Sequence, residues 1–298
     1  MKICQLMPLL FLLVCGITHA STIKDPETQH LLNFTGLKTD ILIGEIEGVK
    51  LTINIAQPKV RGKKPRPVLV FIHGGGLIKG DKNSLNQRIV KMASKGVVTA
   101  SLMYRLAPEY KFPAAIEDVK AGIRFIKANA KVLHIDPDNI VVNGASAGGY
   151  LAVMLGVTGN SSAFAKHGLY TEYDSVVKAV MAQSPPVGDY TKANYQDFAL
   201  VKRFKNNSND MQKSLAAISP VTYLDKQDPP FFISHGTADT VVPVEMSRHF
   251  TAELKKLGHE YEYIEVEGGK HSLTRSKPLQ AKLVFKATMQ FFAKHTRD

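Results

Sequence analysis

The sequence predicts an α/β protein, one mostly parallel sheet with helices packed on both faces. Three observations carry that prediction. Short continuous apolar runs such as "PVLVFIH" (67–73) have the composition of strands buried on both faces. Between them lie longer stretches with apolar residues at helical spacing, as at Ile116, Val119, Ile123 and Ile126. The two kinds alternate with no repeat, low-complexity tract or long linker, the order that builds parallel sheets through helical crossovers.

Taken in order, 41–46 reads as a first sheet segment. "VKLTINIAQP" (49–58) alternates apolar and polar residues like an antiparallel strand. "PVLVFIH" and "GVVTASLMY" (96–104) are buried strands. Pro113 starts a helix over 113–133. "NIVVNGA" (139–145) is a strand, and the helix "AGGYLAVMLGV" follows it directly. "VKAVMAQS" (177–184) and "FFISHGT" (231–237) are strands, and "VEMSRHFTAELKKLG" (244–258) is a helix with Gly258 at its stop. "YEYIEVEG" (261–268) is the last strand and "LQAKLVFKATMQFFAKH" the last helix. Ligands of such sheets bind outside the carboxyl ends of the strands, so chemistry is sought there.

The first twenty residues stand apart. Lys2, the apolar run "LMPLLFLLVCGI" and the small Ala20 form a signal peptide cleaved after Ala20, which implies a secreted or periplasmic protein. The alternatives are an uncleaved anchor, for which the run is short, and a lipid on Cys15, where the bulky Val14 is unfavourable. Both cysteines, Cys4 and Cys15, fall in this leader. The mature chain then has no disulfide and no thiol nucleophile.

Formal charge is +12 over 298 residues. The basic residues are scattered, and the one dense cluster, "RGKKPR" (61–66), reads as a solvated loop. No basic face with interleaved aromatics suggests nucleic-acid binding. Electrostatic affinity for acidic polysaccharide or an anionic membrane surface stays open, without stable insertion of the mature chain. The oligomeric state is not readable.

The densest chemical signal is "VNGASAGGYL" (142–151). Gly144-Ala145-Ser146-Ala147-Gly148 matches G-x-S-x-G, with a strand before and a helix after. A sharp strand-to-helix turn there would strain the serine backbone and expose its hydroxyl, with Gly144, Gly148 and Gly149 permitting the close approach. The competing reading is a glycine-rich packing turn.

A serine hydroxyl needs a base. Of ten histidines, His271 in "EGGKHSL" lies just after the last strand, at the catalytic edge. His19 falls in the leader, and His30 precedes the sheet. His134, His167, His249, His259 and His295 suit surface helices or turns. His235 suits a hydrogen-bonded structural role. Asp239 in "HGTADTVVP" also follows a strand and can orient His271; Asp228 and Glu245 are weaker choices. "HGGG" (73–76) follows a strand, so Gly75, Gly76 and Ala147 are expected to supply N–H donors to an oxyanion, with His73 fixing the loop. No metal-ligand spacing occurs, and this chemistry requires no cofactor.

"HGGGLIKGDK", "YRLAPEYKFPAAIEDV", "IDPDNIVVNGASAGGYLAVMLG" and "DPPFFISHGTADTVVPVEMS" together resemble the α/β-hydrolase-fold serine esterases of the acetylxylan/feruloyl esterase-like group. That group borders the hormone-sensitive-lipase-like carboxylesterases. The resemblance runs from about Val49 to the C-terminus. It implies a cofactor-free serine hydrolase of carboxylic esters, acting on short-acyl esters including acetyl or feruloyl esters of polysaccharide. Ala145 stands where the lipase-like group reads Asp, and Leu77 where the feruloyl group often has an aromatic ring. With about twenty mature residues before 41–46, no large cap is expected. A small lid is expected over 187–220, where Tyr190, Tyr195, Phe198 and Phe204 could wall an acyl pocket or pack on the core. Arg105 and Glu117 read as structural supports. The rivals are a same-fold peptidase and a catalytically inactive binding protein.

Overall fold

The computed structural model describes residues 36–60, 62–159, 161–164, 167–195, 197–204 and 210–296. The expected leader, with Cys4, Cys15 and the cleavage after Ala20, lies outside these residues.

The strands are β1 (Gly36–Ile46), β2 (Val49–Gln57), β3 (Arg66–Ile72), β4 (Val98–Leu102), β5 (Ile135–Ala145), β6 (Ala179–Gln183), β7 (Phe231–Gly236) and β8 (Tyr261–Val266). They form one eight-stranded sheet in the order β1-β2-β4-β3-β5-β6-β7-β8. β2 runs antiparallel to both β1 and β4, while β4, β3 and β5 to β8 are mutually parallel. The antiparallel direction expected of β2 and the buried apolar runs of the inner strands are therefore realised, although β2 alternates in burial only at its start and is buried throughout from Ile53 to Gln57.

Helices α1 (Asn86–Ala93), α2 (Ala114–Ala128), α3 (Ala130–Leu133), α4 (Ala147–Val157), α5 (Ala199–Phe204), α6 (Met211–Ala217), α7 (Val244–Lys256), α8 (Leu273–Ser276) and α9 (Pro278–Thr296) complete the chain. The period-two strand geometry splits the core into two layers. Val68, Val70 and Ile72 of β3 join the layer under α2, α4 and α7, with Ile116, Leu151 and Phe250. Leu69 and Phe71 point the other way, to Ile89 of α1 and Phe291 of α9. Every residue of α4 is buried, as befits a helix that carries a site and packs against β5 and β6.

Two expectations need correction. The helix expected over 113–133 is two helices. Asn129 donates from Nδ2 to the Phe125 carbonyl at 2.8 Å and so satisfies an end carbonyl of α2. Helix α1 is not among the elements expected above, although Ile89, Met92 and Ala93 recur at helical spacing and form its buried face. Gly258 does stop α7, at φ +67°. Among the described residues no helix is long and apolar enough to cross a membrane.

Arg105 is the structural support expected of it. It is buried, donates from Nε and Nη2 to Asp118 and from Nη1 to Glu47 at 2.7 Å, and so ties the loop after β4 to α2 and to the β1–β2 turn. Glu117 lies 3.7 Å from the same guanidinium.

Candidate active site

Ser146 sits between β5 and α4 with φ 56° and ψ −126°, a strained position for a residue with a Cβ. The turn closes only because its glycines have no side chains. A Cβ at Gly144 would lie 2.1 Å from the Gly148 carbonyl oxygen, and one at Gly148 would lie 2.2 Å from that of Ile72. These are backbone atoms with no room to move. Gly149 is less critical, since a Cβ there would meet nothing nearer than 3.2 Å. The Ser146 N–H donates to Gln183 O at 2.9 Å and anchors the turn to β6.

The expected base and carboxylate converge on this serine. His271 Nε2 is 2.9 Å from Ser146 Oγ, and His271 Nδ1 is 2.7 Å from Asp239 Oδ2. A carboxylate beside Nδ1 keeps the proton there, so Nε2 presents its lone pair to the serine hydroxyl. Residues far apart in sequence meet because the loops after β7 and β8 are joined. Thr237 N–H donates to Val266 O, and Ala238 N–H donates to Gly269 O at 2.9 Å.

Asp239 has a wholly buried side chain. Burial acts to raise its pKa. Hydrogen bonds from His235, His271 and the N–H groups of Val242 and Val241 overcome that and hold it well below the usual carboxylate range. It therefore stays ionised beside the imidazole.

His235 is structural, as expected, but it does more than fill space. Its Nε2 faces Val242 O at 3.0 Å and Asp239 Oδ2 at 3.2 Å, both acceptors, so Nε2 carries the proton. Nδ1 lies 2.7 Å from Ser247 Oγ. A fully buried histidine thus holds the second side of the carboxylate. Its position at a strand end was visible in the sequence; its contact with Asp239 was not.

The "HGGG" loop lies against the turn. A Cβ on Gly74 would meet Ala145 O at 2.8 Å and Ser146 Cβ at 3.4 Å. Gly75 has φ +120°, open to glycine alone in practice, and its carbonyl accepts from the Ile78 and Lys79 N–H groups at 3.3 Å. The Gly76 N–H, on the other edge of the same planar peptide, therefore points out of the 75–79 turn that these bonds close. Ala147 opens α4, where the first N–H groups have no intrahelical acceptor. His73 does fix this loop: it is buried, stacks on Tyr104 at 4.2 Å, and donates from Nδ1 to Gly74 O at 2.8 Å.

Arg203 had no signal in the sequence. It reaches from α5 to donate to Gly76 O at 2.9 Å, pinning the 187–220 segment to the glycine loop. Within that segment Tyr190 is fully buried and stacks on Phe198 at 6.4 Å. Tyr190 is therefore a core residue and not a free pocket wall. Tyr195 and Phe198 are partly buried against the same core, and the Phe204 side chain lies outside the described residues.

The weaker acid choices are elsewhere. Glu245 is on the exposed start of α7, 3.4 Å from Arg248. Asp228 is buried before β7, accepts from the Asp225 N–H at 2.9 Å, and has its pKa pushed up to about 7 by burial. An unfolded Asp ionises near 3.8, so between those two pH values the native state holds a proton the unfolded chain has lost. Stability therefore falls as pH rises through that window. Asp228→Asn should raise the Tm at pH 8, by an amount equivalent to roughly 1–4 kcal/mol, and leave it nearly unchanged at pH 4. Equal shifts at both pH values in thermal melts would refute this.

The BD-FAE family profile matches residues 53–254, more than half of the chain. The chain belongs to the BD-FAE family. This BD-FAE protein is 28% identical over 248 residues to esterase LipQ of Mycobacterium tuberculosis, a match covering 79% of the chain and 57% of LipQ. It spans about half the length of the curated relatives it matches. Among solved structures it superposes on the truncated form of a carbohydrate esterase from gut microbiota with a TM-score of 0.74 and 26% identity, over 89% of this chain and 98% of that one. A propionate-bound thermophilic esterase of the Planctomycetes species Thermogutta terrifontis gives the same TM-score and identity, over 87% and 94%. The BD-FAE chain thus has the α/β-hydrolase fold that its motifs led us to expect.

Proposed function

We propose that this protein is a serine-dependent hydrolase of short-acyl carboxylic esters, including acyl esters carried on carbohydrate. The observation that carries the reading is the unbroken hydrogen-bond chain Ser146–His271–Asp239, with distances of 2.9 and 2.7 Å. The esterase names of its relatives and the propionate in one structural neighbour support it.

On this reading Ser146 Oγ attacks the ester carbonyl while His271 Nε2 takes its proton. Asp239 stabilises the imidazolium that forms. The N–H groups of Gly75, Gly76 and Ala147 receive the oxyanion. His271 then protonates the departing alkoxide, and the acyl group remains on Ser146. Water, deprotonated by the same imidazole, releases the acid and restores the serine. On the same reading, cleavage of the leader expected at residues 1–20 would make this a secreted or periplasmic enzyme.

The 187–220 segment, held at the glycine loop by Arg203, is the lid and acyl wall in this scheme. Each methylene adds about 0.8 kcal/mol only until the wall is reached. A series of p-nitrophenyl esters should then peak between acetyl and butanoyl, and a fluorophosphonate probe should label Ser146. Failure of both on folded protein would reject the assignment. Tyr195→Ala should move the optimum to longer chains at little cost to acetyl ester. An unchanged profile would place the wall elsewhere.

A further inference from the structure

Behind the strand ends that lead to Ser146 lies a second space, a cavity of about 100 Å³ between the sheet and α9. Leu69, Phe71, Met181 and Phe232 of the sheet face Val284 and Met289 of α9 across it. Neither Ser146 nor Asp239 nor His271 lines it. It approaches the candidate active site through Gly144, Ala145 and Gln183 on one wall and Leu273 and Thr274 on another.

One charge borders this mostly apolar space, which Asn143, Gln183, Ser234 and Thr288 also line. Arg88 lines the cavity from the exposed side of α1, with its guanidinium carbon 5.8 Å from the centre of the Phe71 ring. Among the described residues no carboxylate and no hydrogen-bond acceptor engages that side chain. Packing against its neighbours lowers its pKa, although the side chain keeps an exposed edge. Apolar room beside an unengaged planar cation is complementary to an amphiphilic anion, since a guanidinium takes both oxygens of a carboxylate.

We propose that this cavity binds a short-chain carboxylate, with the alkyl chain among Phe71, Met181 and Val284 and the carboxylate on Arg88. Size limits the chain. A water molecule occupies about 30 Å³, so about 100 Å³ holds roughly three such groups, the alkyl part of propanoate or butanoate. Acids of that class are the products of the hydrolysis proposed above. Only this link to product rests on that reading; the binding site does not.

The test is titration of sodium butanoate, followed by ligand-observed NMR, into the wild type and three variants. Ser146→Ala should bind as the wild type does. Arg88→Gln, at an exposed position, should weaken binding by about tenfold or more. Ala281→Leu, which adds bulk to the cavity lining, should abolish it. Butan-1-ol, lacking the charge, should bind the wild type and Arg88→Gln alike. Absence of binding to the wild type would overturn the proposal. So would binding unaffected by Arg88→Gln, which decides the matter if Ala281→Leu folds poorly. Loss of binding in Ser146→Ala would place the acid at the serine and overturn it too. Turnover of p-nitrophenyl butanoate, measured on the same wild-type sample, separates the two claims: Arg88-dependent binding without turnover would sink the esterase reading and leave this site standing.

Discussion

Ser146→Ala should lower kcat for p-nitrophenyl acetate by about 10⁴-fold or more while the protein melts as the wild type does. Alanine also has a Cβ, so the strained backbone at φ 56° is no worse accommodated than before. The side-chain atom removed is the hydroxyl that faces His271 Nε2. Without it no acyl-enzyme forms. The residual rate would come from water held near His271 and from the oxyanion donors, which still favour the tetrahedral intermediate. Near-wild-type turnover by a folded variant would remove Ser146 from the mechanism.

Asp239→Asn should cost a comparable factor, about 10⁴ in kcat at neutral pH. The reason is donor and acceptor matching. Oδ1 accepts from the N–H groups of Val241 and Val242, so an asparagine would keep its oxygen there. Its NH₂ would then face His271 Nδ1 and His235 Nε2, both of which donate to the present carboxylate. His271 would have to move its proton to Nε2, the wrong tautomer for accepting from Ser146. The buried donor facing His235 would also lack an acceptor, a destabilisation of about 1–3 kcal/mol. The informative control is His235→Gln, which should lower the Tm and spare most of kcat, whereas His271→Gln should abolish turnover. The opposite pattern would make His235 the base.

The candidate site was legible to the extent that it depends on local chain geometry. A strand, a glycine-flanked serine and a helix in immediate succession favour a tight turn with the serine exposed, so residues 139–157 pointed to Ser146 and its glycines, with a glycine-rich packing turn as the one rival. Asp239 and His271 were legible for a related reason: each follows a strand of a parallel sheet, and parallel strands bring their following loops to one edge. The aromatics of 187–220 were not separable in this way. Tyr190 and Tyr195 have the same chemistry, and only packing buries the first completely and leaves the second partly exposed.

Sequence by itself determined the alternation of strands and helices, the serine turn and the edge where chemistry gathers, because these follow from periodicity and from backbone sterics within a few residues. Tertiary structure alone decided the rest. Arg203 meets Gly76 across 127 positions, His235 closes the far side of Asp239, and Arg88 comes to border an apolar cavity through the docking of α9 against the sheet. Each depends on the mutual placement of whole elements, and no local pattern of residues encodes that placement.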